Sequence, residues 1–125
     1  MKVIALTDNI SVISAWANDQ SYDDIFKEQL QNLLADGDLV IGISASGNSP
    51  NVIRALRFAR EHGAVTTAWS GLSGGKLKDI VDLCLHAPTE DIGIIESIHL
   101  VLDHLITQEL RARMAKELAL SAINF

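Results

Sequence analysis

The part of the sequence best suited to chemistry is a short polar loop between an apolar run and a helical pattern. Its sequence is SASGNS, residues 44–49, and we call it the serine loop. It contains no lysine or arginine, so an anion bound there must be held by neutral hydrogen-bond donors. The residues that could bind a ligand are Ser44, Ser46, Gly47, Asn48 and Ser49.

A loop of this composition in front of a helix predicts a phosphate-binding site. The first backbone N–H groups of a helix lack partners within the helix and together carry about half a positive charge. Serine hydroxyls can donate further hydrogen bonds to phosphate oxygens, and a glycine lets the backbone approach closely. We therefore expect a phosphomonoester as the ligand. The alternative is that the serines and Asn48 only form the turn and cap the helix, which is a common use of these residues.

The surrounding elements predict an α/β fold. Four short runs of continuous apolar character indicate strands of a mainly parallel sheet, and these are KVIALT (2–7), LVIGIS (39–44), VTTAWS (65–70) and LCLHAP (83–88). Helical patterns at 21–37 and 50–63 separate them, so we expect a three-layer αβα sandwich with crossover helices. Ligands bind such sheets beyond the carboxyl ends of the strands, which is where the serine loop lies.

The last third of the chain predicts one long helix, from about residue 90 to about residue 122. At 1.5 Å per residue this helix would be roughly 45 Å long, whereas a domain of this size is about 35–40 Å across. We expect it to break or to project into a partner. The apolar content of 48% also suggests surface covered by another chain, although a sheet buried on both faces would raise the apolar content as well.

Length, charge and composition limit the class of protein. The 125 residues fit a single domain, 1–125, and the net charge of −6 argues against a nucleic-acid partner. No leader opens the chain and no apolar segment could span a bilayer, so we predict a cytoplasmic protein without a membrane partner. Cys84 lies in an apolar run and predicts a buried thiol rather than a nucleophile. Because the chain begins on a predicted strand, we expect a neighbouring chain to cover it or an N-terminal segment to be missing.

Several segments in the same order resemble the sugar isomerase (SIS) domain family, and within it the phosphoheptose isomerase branch. They are GISASGNSPNVIRAL, a strand, SGLSGGKL and a helix bearing IESIHLVLDHL, and the similarity extends forward through ALTDNISVISAWANDQSYDDIF. The resemblance implies an SIS-type, flavodoxin-like fold and a sugar phosphate held by Ser44, Ser46 and Ser49, with Gly47 and Asn48 shaping the loop. It also implies that the chain lacks the N-terminal segment usual in this family.

The resemblance assigns further residues to the site. Asn18 and Asp19 match an Asn-Asp pair near the ligand, although such a pair also commonly forms a turn. Aldose–ketose isomerisation requires a base beside the carbonyl and an acid for the oxygen. His104 matches the catalytic histidine, and Glu96 lies where these isomerases carry glutamine. Taken alone, a helix with two histidines and two acids is more often a polar rim than a site.

A metal site on the last helix is an alternative to this catalytic arrangement. Glu96 with His99, or His99 with Asp103, has the spacing of metal ligands. Relatives that bind zinc also use ligands from an earlier segment. We therefore predict no metal and no other cofactor.

Three functions follow from these observations. The first is a sugar-phosphate isomerase, or its C-terminal portion, that converts a ketose like sedoheptulose 7-phosphate into an aldose phosphate as a homodimer or homotetramer. The second is a non-catalytic regulatory or scaffold protein that binds a sugar phosphate. The third is a truncated product that folds only as an oligomer. Three departures from the family pattern leave these alternatives open. Ala45 stands in place of a threonine and Glu96 in place of glutamine. The N-terminal segment, which supplies a glutamate base in the relatives, is not in this sequence.

Overall fold

The structure is a computed structural model that describes the backbone of residues 2–123 and the side chains of residues 2–120. Three parallel strands form a sheet in the order β1 (Leu39–Ser44), β2 (Val65–Gly71) and β3 (Leu83–Ala87). Ser44 lies opposite Ser70 in the β1–β2 register. Because the strands are parallel, their carboxyl ends meet at one edge of the sheet.

Four α-helices accompany the sheet, and they are α1 (Ile10–Asp19), α2 (Ile25–Leu33), α3 (Pro50–Glu61) and α4 (Ile92–Ile123). Short 3-10 helices lie at Tyr22–Asp24 and Gly75–Asp79. Helix α3 packs on one face of β1 and β2 with α2 behind it, and α4 contacts β2 on the other face. The predicted αβα sandwich is therefore confirmed.

The main core lies between α3 and the sheet. Its buried members are Val52, Ile53, Leu56, Ala68, Leu77 and Val81. Side chains of α3 fill the space in front of Gly42, where an added methyl group would overlap Val52 and Leu56. The opposite face is open beside β1, since Ile41 is 43% and Ile43 is 54% exposed.

The predicted strand at residues 2–7 is wrong. Residues 2–5 have no regular structure and are followed by a turn, and Val3 is 79% exposed. A strand requires a neighbour that exchanges backbone hydrogen bonds with it, and within residues 2–123 this segment has none. Only Leu6 packs against the core, where it meets a second cluster around Leu30 and Ala59.

The predicted long helix is confirmed as α4, and it does not break. It runs for 32 residues, or roughly 48 Å. Among its described side chains only Ile95 and His99 are buried, so most of its length extends away from the sheet. Within the described part of the chain, no helix is both long and apolar enough to cross a membrane.

Candidate phosphate-binding site

The serine loop begins at the carboxyl end of β1 and brings its three hydroxyl groups together. The Oγ of Ser44 lies 2.8 Å from the Oγ of Ser49 and 3.5 Å from the Oγ of Ser46. Ser44 is buried, Ser49 is half-buried and Ser46 is exposed. The predicted cluster of hydroxyl donors is therefore present, and its outer member faces the solvent.

Some backbone amides of the loop are occupied by the loop itself. The amide of Gly47 donates to the carbonyl oxygen of Ser44 at 2.9 Å, and that of Asn48 donates to the Oγ of Ser46 at 3.1 Å. In the described structure, the amides of Ser49 and Asn51 have no hydrogen-bond partner. Helix α3 thus opens with two free donors beside three hydroxyl groups, an arrangement that suits an anion.

A second glycine-rich segment holds the serine loop in place. The amide of Leu77 donates to the carbonyl oxygen of Gly47 at 3.1 Å, and the amide of Lys76 donates to Oδ1 of Asn48 at 3.1 Å. Gly47 has a left-handed φ of +65°, and a methyl group there would overlap the carbonyl oxygen of Gly74. The shape of the loop therefore depends on this close contact, and Asn48 acts within it as a bridge.

Helix α4 reaches the same edge of the sheet through its two buried residues. The side chain of Ile95 fills the space in front of Gly71, whose amide donates to the carbonyl oxygen of Ala45 at 2.8 Å. One turn later, Nε2 of His99 lies 3.2 Å from the carbonyl oxygen of Ser70. The sequence offered His99 only as a possible metal ligand. No local signal marks its burial, because its apolar neighbours Ile98 and Leu100 are themselves exposed.

The two candidate catalytic residues are separated on α4 by about 80° of rotation and about 12 Å of rise. Both Glu96 and His104 are exposed, and neither makes a hydrogen bond or ion pair within the described residues. At 100° per residue, Glu96 lies about 80° from the sheet-facing direction of Ile95 and His99, and His104 about 160° from it. Glu96 is therefore beside the docked turn of α4, whereas His104 faces away from the sheet of its own chain.

The predicted pair Asn18 and Asp19 lies at the end of α1, and both side chains are exposed. Helix α1 packs on α2 and on the 3-10 helix at Tyr22–Asp24. No hydrogen bond joins either residue to the serine loop in the part of the chain that the structure describes. Their proximity to the ligand stays a prediction.

The described residues do not assemble a metal site. They contain no group of three or more His, Cys, Asp or Glu side chains that could hold a metal ion. Nε2 of His99 already faces a backbone carbonyl. The suggested pairs of His99 with Glu96 or Asp103 are therefore not extended by a third ligand within these residues.

Comparison with known proteins identifies the family. The family model described as the SIS domain matches residues 1–71, more than half of the chain. The chain belongs to the SIS domain family. This finding agrees with the arrangement of parallel strands, crossover helix and serine loop described above.

Two similar proteins are named as phosphoheptose isomerases. A phosphoheptose isomerase of Aliarcobacter butzleri is 44% identical over 105 residues, which are 84% of this chain and 56% of that protein. A probable phosphoheptose isomerase of Thermoplasma acidophilum is 44% identical over 106 residues, 85% of this chain and 58% of that protein. The chain therefore spans just over half the length of these relatives.

Solved structures give the same result for the fold. The structure of a phosphoheptose isomerase from Neisseria gonorrhoeae matches with a TM-score of 0.80 and 36% identity, over 82% of this chain and 58% of that one. A phosphoheptose isomerase from Francisella tularensis matches with a TM-score of 0.79 and 30% identity, over 82% and 55%.

Proposed function

We propose that the chain binds a sugar phosphate at the serine loop and serves an aldose–ketose isomerase of the phosphoheptose type. The observation that carries this proposal is the convergence of three serine hydroxyls and two free amides where α3 begins. Neutral donors at a helix start suit a phosphate group without a basic side chain. The names of the relatives support a phosphorylated seven-carbon sugar as the ligand.

The reaction would require a proton to leave the carbon beside the carbonyl and return to the neighbouring carbon. In this proposal the carboxylate of Glu96 is the base and the imidazole of His104 serves the oxygen of the enediol. The serine loop holds the phosphate and so fixes the position of the sugar carbons. We propose no cofactor, and unchanged turnover after treatment with a metal chelator would support this.

The direction of His104 supports a homo-oligomer. Since this side chain faces away from the sheet of its own chain, it could serve the serine loop of another copy. A homodimer or homotetramer would then build a complete site from two chains. A cytoplasmic location stays a prediction from the sequence.

Turnover tests the catalytic half of the proposal. The purified chain is incubated with sedoheptulose 7-phosphate, and formation of an aldose phosphate is followed by NMR. We expect the unmodified chain to turn over this substrate and His104→Ala to abolish the turnover. The control variant His62→Ala, at the far end of α3, should keep it. Turnover that persists in His104→Ala would contradict the assigned role.

Binding tests the phosphate site. We expect Ser44→Ala combined with Ser46→Ala to weaken binding of the sugar phosphate at least about tenfold, because one hydrogen bond to a charged group contributes about 1.5–3 kcal/mol. The matched control is Ser11→Ala with Ser14→Ala, two exposed serines of α1. Calorimetry gives the affinities, and equal affinities of the two double variants would reject the site.

A second candidate is a protein that binds the sugar phosphate without turnover. The specific observation in its favour is that His104 faces away from the sheet of its own chain and lies about 12 Å along α4 from Glu96, so one copy does not bring both to one loop. Affinity that depends on the serines, with no aldose phosphate formed at any protein concentration, would favour this function over the isomerase.

A further inference from the structure

His99 differs from the other histidines of the described chain because it is buried. Its side chain is 7% exposed, and its ring lies 6.3 Å from the ring of Trp69. Nε2 lies 3.2 Å from the carbonyl oxygen of Ser70. A carbonyl oxygen can only accept, so Nε2 carries a hydrogen and donates it. The imidazole is therefore enclosed and fixed in its tautomer.

The acceptor of this hydrogen bond connects His99 to the serine loop. Ser70 lies directly opposite Ser44 in the β1–β2 register, and Ser44 is the residue at which the loop begins. The hydroxyl of Ser44 is in turn 2.8 Å from that of Ser49. The His99 contact is thus one strand away from the proposed phosphate site.

A second contact lies one helical turn earlier. Ile95 packs into the space in front of Gly71, and the amide of Gly71 donates to the carbonyl oxygen of Ala45 within the serine loop. An apolar contact has no preferred direction, so Ile95 alone would allow α4 to roll on the sheet. The hydrogen bond from His99 is directional, and it selects one rotation of the helix.

We propose that His99 is a positioning residue that fixes the rotation of α4 about its axis. In this rotation Glu96 lies beside the turn of α4 that docks at Gly71, whose amide donates to Ala45 of the serine loop, and His104 faces outward. The inference rests on the proposed function, since it assigns His99 a role in placing the sugar-binding groups. His99 itself does not touch the ligand, because its side chain is buried and its Nε2 is bonded to Ser70.

The test compares two ligands on the full chain. The affinity for inorganic phosphate depends on the serine loop alone. The affinity for sedoheptulose 7-phosphate depends on the serine loop together with α4. We expect His99→Phe to lower the affinity for sedoheptulose 7-phosphate about tenfold, which corresponds to the loss of one hydrogen bond. The affinity for inorganic phosphate should change by less than about twofold. His99→Gln, which keeps an N–H donor, should recover most of the loss. His62→Phe, at an exposed position, is the matched control.

A double-mutant cycle separates positioning from general weakening. In a Glu96→Ala background, His99→Phe should cause little further loss of sugar-phosphate affinity, because the group that it positions is already absent. Where His99→Phe does not fold, as judged by circular dichroism, His99→Asn replaces it, since its shorter amide does not reach Ser70. Additive losses in the cycle would overturn the proposal.

Other results would also overturn it. They are equal losses for both ligands, a His99→Phe variant that behaves like His62→Phe, and a His99→Gln variant that recovers nothing. Failure of the proposed function has a different signature. It is seen in the unmodified chain, as sugar phosphate binding no more tightly than inorganic phosphate.

Discussion

The conformation of the serine loop requires a glycine at position 47. Gly47 has a φ of +65°, and a Cβ added there would overlap the carbonyl oxygen of Gly74. A left-handed conformation costs a residue with a side chain about 1–2 kcal/mol. A methyl group at Gly47 would also have to displace a backbone segment, and backbone cannot move aside as a flexible side chain can.

We predict that Gly47→Ala lowers the free energy of unfolding and removes sugar-phosphate binding. The matched control is Gly37→Ala, because Gly37 has a similar φ of +81° with nothing within 4 Å of the added methyl group. The difference between the variants isolates the clash, for which we expect about 1–3 kcal/mol. Urea unfolding and calorimetry measure the two effects, and equal stabilities would show that the contact with Gly74 is unimportant.

Asp82 joins β2 to the segment before β3 and carries a shifted pKa. Its Oδ2 accepts from the backbone N–H and from the hydroxyl of Thr66, both at 2.8 Å, and Arg60 lies 3.4 Å from Oδ1. The hydrogen bonds from Thr66, followed by the charge of Arg60, lower the pKa of Asp82 below its ordinary value of 3.8. The folded state therefore favours the ionised carboxylate.

This shift predicts a pH-dependent contribution to stability. A lowered pKa means that the contribution is present above the ordinary value of 3.8 and is lost as the pH falls through the lower, folded-state pKa. Asp82→Asn should therefore reduce the free energy of unfolding at neutral pH, and the difference from the unmodified chain should shrink in acid. Asp79→Asn, an exposed position, controls for the charge. Urea unfolding across pH 2–7 checks this, and a difference independent of pH would contradict it.

Sequence reasoning at this scale identified the residues of the serine loop but not the environment of α4. Ser44, Ser46 and Ser49 were recognisable because loop and helix start are local features, read from a few consecutive residues. The burial of His99 depends on which side of α4 meets β2, and that is set by contacts distant in sequence. For the same reason, the spacing of His99 and His104 could not show which of the two faces the sheet.

Among the elements, those with strong local signals were predicted well. Helix α3 begins at Pro50, whose missing N–H suits the first helical position, and Ser21 caps the 3-10 helix before α2. The segment at 2–7 failed because a strand depends on its neighbours as much as on its composition. Helix α1 was missed, although Asn9 accepts a hydrogen bond from the amide of Val12 and is a recognisable cap.

Two glycines of the sheet allow the faces to be tested separately. An added methyl group at Gly71 would overlap Ile95 of α4, and one at Gly42 would overlap Leu56 of α3. Each variant overpacks one face, at a cost of about 1–3 kcal/mol. We predict that Gly71→Ala speeds amide hydrogen exchange in the first turns of α4, whereas Gly42→Ala speeds it in α3.

The two variants serve as controls for each other, because their losses of stability should be similar and their locations different. Exchange followed by mass spectrometry resolves the two helices. Faster exchange in α4 caused equally by both variants would mean that α4 docking does not depend on the contact between Ile95 and Gly71.

At the scale of the whole molecule, α4 presents an apolar stripe that its own sheet does not cover. Ile94, Ile98, Val101 and Leu105 follow the spacing of one helix face, and they are 50%, 37%, 55% and 56% exposed. This stripe lies about 90° around the helix from Ile95. The sequence predicted a helix that breaks or projects into a partner, and an unbroken helix with an exposed apolar stripe favours the second outcome.

We predict that this stripe joins copies of the chain and that charge on it separates them. Val101→Lys combined with Leu105→Lys adds two positive charges at exposed apolar positions, so burying them in an interface would cost far more than leaving them in water. The variant should sediment as a monomer under conditions in which the unmodified chain is a dimer or tetramer. It should also lose turnover, because His104 would no longer reach the serine loop of another copy.

Glu61→Lys is the control, because it changes the net charge by the same amount on an exposed part of α3 and should change neither property. Analytical ultracentrifugation over a range of concentrations measures the oligomeric state of each variant. An unmodified chain that is monomeric yet active would rule out a site shared between copies.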